Sequence, residues 1–222
     1  MRKPIICIPV VGNSINEFLN NLSKSQKISN FVELRSDYIQ KLNIEDILLL
    51  KSKTFNKSIF TCRSKKEGGK FTSSQSTRCS ILEFASKIGF DFVDVELSTL
   101  EKYNLKLNSK LIISYHNFNK TPNFNFLLKI ISKMQKYKPE IIKIATLVKN
   151  KTDIKTLLRL CLNKDFQNKR IIIGMGPLGI STRILAPLFG SYLTYSYAIN
   201  NKTASGQIEF STLKKLYNYI YK

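Results

Sequence analysis

The sequence predicts an α/β protein, a single (β/α)8 barrel in which eight parallel strands alternate with helices. Short apolar runs rich in β-branched residues recur along the chain, and segments with helical periodicity lie between them. The runs lack a polar face, as expected for parallel strands covered by helices. Eight units are the number in a barrel, and 222 residues is short for that fold, which typically takes roughly 250 residues. Its loops must therefore be short.

Eight apolar runs predict the strands: IICIPV at residues 5–10, FVEL at 31–34, SIFTC at 58–62, FVDV at 92–95, LIIS at 111–114, IIKIA at 141–145, RIII at 170–173 and YLTY at 192–195. Six segments with apolar residues at helical spacing predict helices at residues 15–22, 44–50, 80–88, 124–137, 153–162 and 183–188. Each helical segment lies between two consecutive runs, so we expect the strands to be parallel.

An open, doubly wound sheet is the alternative fold for the same alternation of elements. Nucleotide-binding sheets of that kind carry G-x-G-x-x-G after the first strand or the motif G-x-x-x-x-G-K-[ST]. Neither motif is present, and Pro9, Val10, Val11 and Gly12 stand at the end of the first run. No repeat, low-complexity tract or linker divides the chain, so we expect one catalytic domain over residues 1–222.

Composition indicates a cytoplasmic protein with no membrane segment and no metal. No apolar stretch approaches the ~20 residues of a membrane helix, and the start, MRKPIICIPVV, lacks the features of a signal peptide. Cys7, Cys62, Cys79 and Cys161 lie far apart without a C-x-x-C pair, which indicates neither a disulfide framework nor a zinc site. We expect reduced cysteines.

The net charge of +21 raises the question of nucleic-acid binding, since clustered basic residues neutralise phosphates. The 29 lysines are spread along the whole chain, however, which is typical of a drift toward AT-rich codons. We therefore expect no nucleic-acid partner. The positive field would attract a small anionic substrate.

Polar residues at the strand ends mark a candidate active site, because a barrel builds its active site at the carboxyl ends of its strands. In chain order they are Glu33, Arg35, Thr61, Arg63, Glu67, Asp94, Glu96, His116, Lys143, Arg183, Thr203 and Gln207. The two-residue period of a strand puts Glu33 and Arg35 on one face and Leu34 on the other.

His116 is the only histidine, and Lys143 is a lone lysine within the apolar run 141–145. A lysine among isoleucines is costly to bury unless its ammonium is paired, deprotonated or used chemically. Lys143 is therefore a candidate nucleophile. His116 is the natural proton carrier, since imidazole is the side chain that titrates near neutral pH.

Each of these residues also has a structural explanation. Glu33 and Arg35 could form an ordinary buried ion pair, and the two acidic residues that end the fourth strand could be structural. His116 could be a hydrogen-bonded core histidine, and Lys143 could extend from a strand end to solvent. We favour function, because packing alone does not readily produce such a set in a chain with 15 acidic residues and one histidine.

Seven segments, in this order, resemble the type I 3-dehydroquinate dehydratases: ELRSD (33–37), TCRSKKEGGKF (61–71), DFVDVEL (91–97), SYHNF (114–118), KIA (143–145), LGISTR (178–183) and ASGQI (204–208). The resemblance implies a (β/α)8 barrel that converts 3-dehydroquinate to 3-dehydroshikimate in the shikimate pathway, toward chorismate and the aromatic amino acids. It implies no metal or organic cofactor. Since members are often dimers, we expect a homodimer.

The resemblance also assigns catalytic roles. Lys143 would form a Schiff base with the C3 ketone, and the protonated imine would accept electron density from C2. The attacking amine must be neutral, which burial among isoleucines favours. His116 would remove the C2 proton and assist loss of the C1 hydroxyl as water. Glu67 would pair with the histidine, fixing its tautomer and raising its basicity.

Further residues would bind the substrate. Arg183 would grip the carboxylate with its planar fork of donors. Five more match residues around the ligand, and they are Glu33, Arg35, Arg63, Thr203 and Gln207. The first three would lie near the substrate hydroxyls, and the last two would close over the ligand from the final loop.

Four positions depart from the family pattern. Asn117 stands where Asp is usual after the histidine. Ser205 stands where Pro is usual, which predicts a less rigid last loop, since proline restricts φ. Thr182 and Thr203 replace serines and keep the hydroxyl. None of these changes removes a catalytic group.

Two other functions remain as alternatives. A class I aldolase also uses a barrel lysine but cleaves a carbon–carbon bond, so it would give retro-aldol products rather than a conjugated enone. A basic RNA-binding module would explain the charge of +21 without chemistry. It predicts binding with a steep salt dependence and a dispensable Lys143.

Overall fold

The computed structural model of the protein describes residues 3–163, 168–198 and 203–221. The chain divides into two compact units. The N-terminal unit comprises Ile8–Ile112, and the C-terminal unit comprises Met1–Cys7 together with Ile113–Lys222. Within the described residues, no helix has both the length and the apolar character needed to cross a membrane.

The N-terminal unit is built from parallel strands that alternate with helices. Its strands are the second half of β1 (Ile5–Val10), then β2 (Phe31–Arg35), β3 (Lys57–Thr61) and β4 (Phe92–Glu96), each paired with the next. Its helices are α1 (Ile15–Ile28), α2 (Ile44–Lys53), α3 (Gln75–Lys87) and the short α4 (Leu97–Leu100).

Polar residues fix where these helices begin. The Ser14 hydroxyl accepts a hydrogen bond from the Glu17 amide at 3.2 Å. Asn43 and Asp46 form a reciprocal capping box at the start of α2, and Ser74 caps α3. Each cap satisfies an amide that the first helical turn leaves without an intrahelical partner.

The core of the N-terminal unit lies between its strands and helices. Leu34 of β2 belongs to the same buried apolar cluster as Phe18 and Leu22 of α1. As the strand period predicts, Glu33 and Arg35 therefore lie on the other face of β2.

The C-terminal unit continues the alternation. Its strands are the greater part of β5 (Lys110–Asn117), then β6 (Ile141–Leu147), β7 (Lys169–Met175), β8 (Leu193–Tyr197) and the short β9 (Ile208–Glu209). Strands β6 and β7 are parallel over seven residue pairs, and β8 pairs with β9 and with the first half of β1. Its helices are α5 (Phe124–Gln135), α6 (Lys151–Leu162), α7 (Ile180–Leu185) and α8 (Phe210–Ile220).

All eight predicted strands are present, with small differences at their ends. The largest is in β5, which continues to Asn117 and so contains His116. The prediction of one helix over residues 183–188 is wrong, because α7 ends at Leu185 and a 3-10 turn, Ala186–Phe189, follows. Pro187 has no amide hydrogen with which to continue the helix.

Among the α-helices and strands of the described residues, α4, β9 and α8 were not predicted. Helix α8 buries Phe210, Leu213 and Tyr217, which are spaced three and four residues apart on one helical face. Ser211, Thr212, Lys214 and Lys215 fill four of the five positions between them, so the segment resembles a polar tail in sequence.

The four cysteines are buried free thiols. Burial raises the pKa of Cys161 to about 12 and also raises the pKa of Cys62. These thiols therefore stay protonated at neutral pH, and a protonated thiol is a poor nucleophile.

Candidate active site

Lys143 lies in the middle of β6, on the opposite face from Ile142 and Ile144, which are themselves buried. Only 5% of Lys143 is exposed. Its Nζ lies 4.7 Å from the centroid of the Tyr195 ring on β8. The predicted burial of this lysine is confirmed, and an aromatic face lies beside its amine.

His116 lies near the carboxyl end of β5 and is partly buried. Its ring stacks on Phe118, with centroids 6.1 Å apart and planes at 14°. The side-chain oxygen of Asn117 accepts hydrogen bonds from the amides of Asn119 and Lys120, both at 3.0 Å, in the turn that follows the strand. An aspartate carboxylate would accept the same bonds, so this departure from the family keeps the turn.

Arg183 lies on α7, and 2% of it is exposed. Its Nη2 donates a hydrogen bond to the Ser205 carbonyl at 3.2 Å, whereas its buried Nε has no hydrogen-bond partner among the described residues. Burial lowers the pKa of this guanidinium to about 10, against an opposing effect of Tyr195. A buried donor without an acceptor costs roughly 1–3 kcal/mol. This donor is therefore suited to an oxygen atom of a ligand.

Threonine hydroxyls hold α7 in place. Thr182 Oγ1 accepts from the Gly174 amide at 2.8 Å and donates to the Gly179 carbonyl at 2.7 Å. A Cβ at Gly179 would lie 2.3 Å from the Gly174 carbonyl oxygen, so this close approach needs glycine. Thr194 on β8 donates to the Arg183 carbonyl at 2.8 Å. A serine at position 182 would supply the same hydroxyl.

The last loop is held together by Gln207. Its Oε1 accepts from the amides of Thr203 at 2.8 Å and Ala204 at 3.3 Å, and its Nε2 donates to the Thr203 hydroxyl at 3.0 Å. Gly206 has φ of +79°, and a Cβ there would lie 2.6 Å from the Gly176 carbonyl oxygen. The structure thus joins the two predicted loop residues to each other.

In the N-terminal unit, Arg35 forms a bidentate ion pair with Asp37, with Nε–Oδ1 2.9 Å and Nη2–Oδ2 2.8 Å. Asp37 also accepts from the Lys70 amide at 3.0 Å. Burial alone would lower the pKa of Arg35, but the Asp37 carboxylate raises it above its usual value. Glu33 accepts a hydrogen bond from the Thr61 hydroxyl at 2.9 Å. The ion-pair explanation therefore applies to Arg35 with Asp37 as its partner.

Arg63 belongs to a buried ion network. Its guanidinium lies 2.8 Å from Asp94 Oδ1 and 3.3 Å from Glu96 Oε1. The other oxygen of Glu96 lies 2.7 Å from Nη1 of the fully buried Arg78. Burial would raise the pKa of Glu96, but the two arginines lower it to about 2. These contacts favour the structural explanation of the two carboxylates, which hold Arg63 in place.

Glu67 is partly buried, and its Oε1 accepts a hydrogen bond from the Ser98 hydroxyl at 2.5 Å. The next residue, Gly68, has φ of +77°. A Cβ at Gly69 would lie 2.0 Å from the Arg63 carbonyl oxygen. The two glycines therefore allow the loop that carries Glu67 to fold tightly over the end of β3.

Asp37, Arg78 and Tyr195 are among the residues that were not singled out and that contact residues of the predicted strand ends. The alternation of the eighth strand could have indicated Tyr195, because Tyr195 lies one residue from Thr194, which faces α7. Asp37 and Arg78 lie outside the strands, and no sequence pattern indicates their partners. Across residues 3–163, 168–198 and 203–221, no group of three His, Cys, Asp or Glu residues is arranged to hold a metal ion.

Comparisons with known proteins agree over almost the whole chain. A sequence model of the family described as Type I 3-dehydroquinase matches residues 6–222. The chain is 37% identical over 223 residues to the 3-dehydroquinate dehydratase of Coxiella burnetii (strain Dugway 5J108-111), covering 100% of this chain and 96% of the relative. It is also 37% identical over 227 residues to the 3-dehydroquinate dehydratase of Methanococcus maripaludis (strain C7), covering 97% of this chain and 100% of the relative.

A solved structure gives the same result. The chain is similar to the type I 3-dehydroquinate dehydratase of Clostridium difficile with covalent modified comenic acid, with a TM-score of 0.88, 27% identity and coverage of 100% of this chain and 94% of that one. These matches confirm the predicted (β/α)8-barrel fold and the class of enzyme, a hydro-lyase. The chain belongs to the type I 3-dehydroquinase family.

Proposed function

We propose that this chain removes water from 3-dehydroquinate to give 3-dehydroshikimate, through a Schiff base on Lys143. The observation that carries the proposal is the amine of Lys143, buried on β6 beside an aromatic ring. Membership of the family and the names of the relatives support the substrate.

The reaction begins with attack of the neutral Lys143 amine on the C3 ketone. Uptake of one proton and loss of one water from the addition product give a protonated imine, whose nitrogen withdraws electron density from C2. A base takes the C2 proton, and the electron pair of that bond moves toward the nitrogen to give an enamine. Return of the pair expels the C1 hydroxyl, which leaves as water after protonation. One water then hydrolyses the protonated imine, which restores the neutral amine and returns the proton, so two waters leave, one is taken up and the net change is the loss of one water.

His116 is the group that we assign to these proton transfers. It lies at the carboxyl end of β5, where barrel enzymes place catalytic groups. Its imidazole can take the C2 proton and give it to the departing hydroxyl. We assign Glu67 to support the histidine as the family pattern implies, by fixing its tautomer and raising its basicity.

Arg183 is the group that we assign to the substrate carboxylate. Its buried Nε–H and its planar fork of donors suit a bidentate contact with a carboxylate. Five further residues are proposed to bind the rest of the substrate, and they are Glu33, Arg35, Arg63, Thr203 and Gln207. Binding of this kind orients the reacting atoms, which lowers the barrier.

We extend the proposal to the setting of the enzyme. The reaction would belong to the shikimate pathway, which leads to chorismate and the aromatic amino acids, and would take place in the cytoplasm without a cofactor. The chain would act as one catalytic domain in a homodimer, with a small anionic substrate and no nucleic-acid partner. The charge of +21 would speed the encounter with that anion.

The proposed activity is tested by mixing the protein with 3-dehydroquinate and following the ultraviolet absorbance of the conjugated enone. We expect product from the natural protein and from Lys169→Ala, whose side chain is half exposed and lies beside Glu140. We expect none from Lys143→Ala. Full activity of Lys143→Ala would contradict the mechanism, and retro-aldol products in place of the enone would indicate an aldolase.

A further inference from the structure

We propose that Tyr195 is a further catalytic residue, whose ring face holds the Lys143 nitrogen and stabilises the positive charge that this nitrogen carries as an iminium. The proposal rests on the Schiff base proposed above. It adds a residue that the motifs of the sequence did not single out.

The geometry places the ring and the amine together. Tyr195 is 4% exposed and Lys143 is 5% exposed, so water has little access to either side chain. The distance of 4.7 Å from Nζ to the ring centroid lies within the ~6 Å over which a cation is attracted to an aromatic face. Thr194 faces α7 through its bond to the Arg183 carbonyl, and strand alternation therefore turns Tyr195 to the other face of β8.

An aromatic face suits this nitrogen better than a carboxylate would. A carboxylate stabilises a cation but can also accept its proton and form a salt bridge that competes with attack on the ketone. The ring attracts positive charge through its quadrupole and takes no proton. Relative to the neutral amine, the iminium and the transition states next to it carry positive charge, so the ring lowers their free energy more.

Tyr195 is also the next residue after Thr194, whose hydroxyl donates a hydrogen bond to the Arg183 carbonyl at 2.8 Å. Strand β8 therefore carries both the ring beside the nucleophile and a residue that holds the main chain of the arginine assigned to the substrate carboxylate. A ring in this position is suited to contact the bound substrate as well as the nitrogen.

The C-terminal unit also offers a matched control. Lys169 Nζ lies 5.4 Å from the centroid of the Tyr192 ring, and the same lysine lies 2.6 Å from Glu140. The Lys169 side chain is 50% exposed, so this pair repeats the lysine–tyrosine contact away from the buried amine.

The test varies the electron density of the ring with little change in its shape. Tyr195→Phe removes the hydroxyl, and phenylalanine analogues with one, two and three fluorines at position 195 then weaken the ring face in steps. Two rates are measured with 3-dehydroquinate: trapping of the iminium by borohydride, and kcat/KM for dehydration. The same analogues at position 192 form the control series.

We expect both rates to fall stepwise with each fluorine at position 195, by about ten-fold over the series, from the size of such interactions at desolvated sites. The control series should stay within about two-fold of the natural protein, the value for a weak exposed contact. Equal trapping rates across the position-195 series would overturn the role of Tyr195 and leave the Schiff base standing. Absence of any adduct in the natural protein would overturn the Schiff base, and the role of Tyr195 with it.

Discussion

The hydroxyl of Tyr217 on α8 donates a hydrogen bond to the main-chain carbonyl of Arg183 on α7, at 3.1 Å. The same hydroxyl lies 2.9 Å from the Ile184 carbonyl. Both carbonyls lie near the end of a short helix, where carbonyls lack intrahelical amide partners. Helix α8 therefore supports the arginine that we assign to the substrate carboxylate.

Tyr217→Phe should raise KM for 3-dehydroquinate about three- to ten-fold and change kcat less. The variant loses one hydrogen bond worth about 0.5–1.5 kcal/mol and leaves a buried carbonyl less well satisfied, so Arg183 is held less firmly. Steady-state kinetics measure the effect. Tyr219→Phe, at a side chain that is 76% exposed, is the control. Equal KM values for the two variants would show that Tyr217 does not act through Arg183.

Arg183→Lys should keep the charge but lose the fork of donors. We expect KM to rise at least about ten-fold, since a hydrogen bond to a charged group contributes roughly 1.5–3 kcal/mol. Arg159→Lys on α6, where the guanidinium lies over the Phe124 ring, should leave KM unchanged. An unaltered KM in Arg183→Lys would count against recognition of a carboxylate by this residue.

Glu96 should make stability depend on pH at the acid end. Its pKa is lowered to about 2 in the folded protein from an ordinary value of 4.5. The unfolded chain therefore binds the proton first as the pH falls. The stabilisation from the ionised Glu96 is complete above about pH 4.5 and is lost progressively as the pH falls to about 2. Urea unfolding at a series of pH values measures it.

Glu96→Gln should flatten that part of the profile. At pH 7 it should also lower the free energy of unfolding by about 3–5 kcal/mol, because a buried charge network loses a partner. Glu45→Gln, at an exposed residue in the first turn of α2, is the control. The same slope in Glu96→Gln and the control between pH 4.5 and 2 would refute the prediction.

Gly179→Ala should lower both stability and substrate affinity. Its Cβ would meet the Gly174 carbonyl oxygen, and overpacking of this kind costs roughly 1–3 kcal/mol. The displaced turn carries Thr182 and Arg183, so KM should rise as well. Gly89, by contrast, has a positive φ of 87°, and no atom lies within 4 Å of the Cβ that Gly89→Ala would add. Gly89→Ala should lose stability without a change in KM. A normal KM in both variants would contradict the link between the turn at Gly179 and substrate affinity.

Much of the fold could be predicted because its strands are apolar runs. In the run at residues 141–145, for example, Lys143 is the only polar residue. The contrast between one lysine and its apolar neighbours also identified Lys143 as a candidate. Helix α8 was missed because mostly polar residues separate its three buried residues over a short segment. Local sequence does not indicate which distant residue a side chain will contact.

The ion network around Arg63 shows that limit. Asp94 and Glu96 come from β4, and Arg78 comes from α3. Their contacts depend on the register between β3 and β4 and on how α3 packs, which are tertiary properties. The sequence could therefore predict charged strand ends but not which charge pairs with which.

The central claim is the covalent bond between Lys143 and the substrate, and the mass of the protein after borohydride reduction with 3-dehydroquinate tests it most directly. We predict one added substrate-derived group, located by peptide mapping on Lys143, in the natural protein and in Lys169→Ala. Lys143→Ala should give none. No adduct on an actively dehydrating protein, or an adduct on another lysine, would contradict the account.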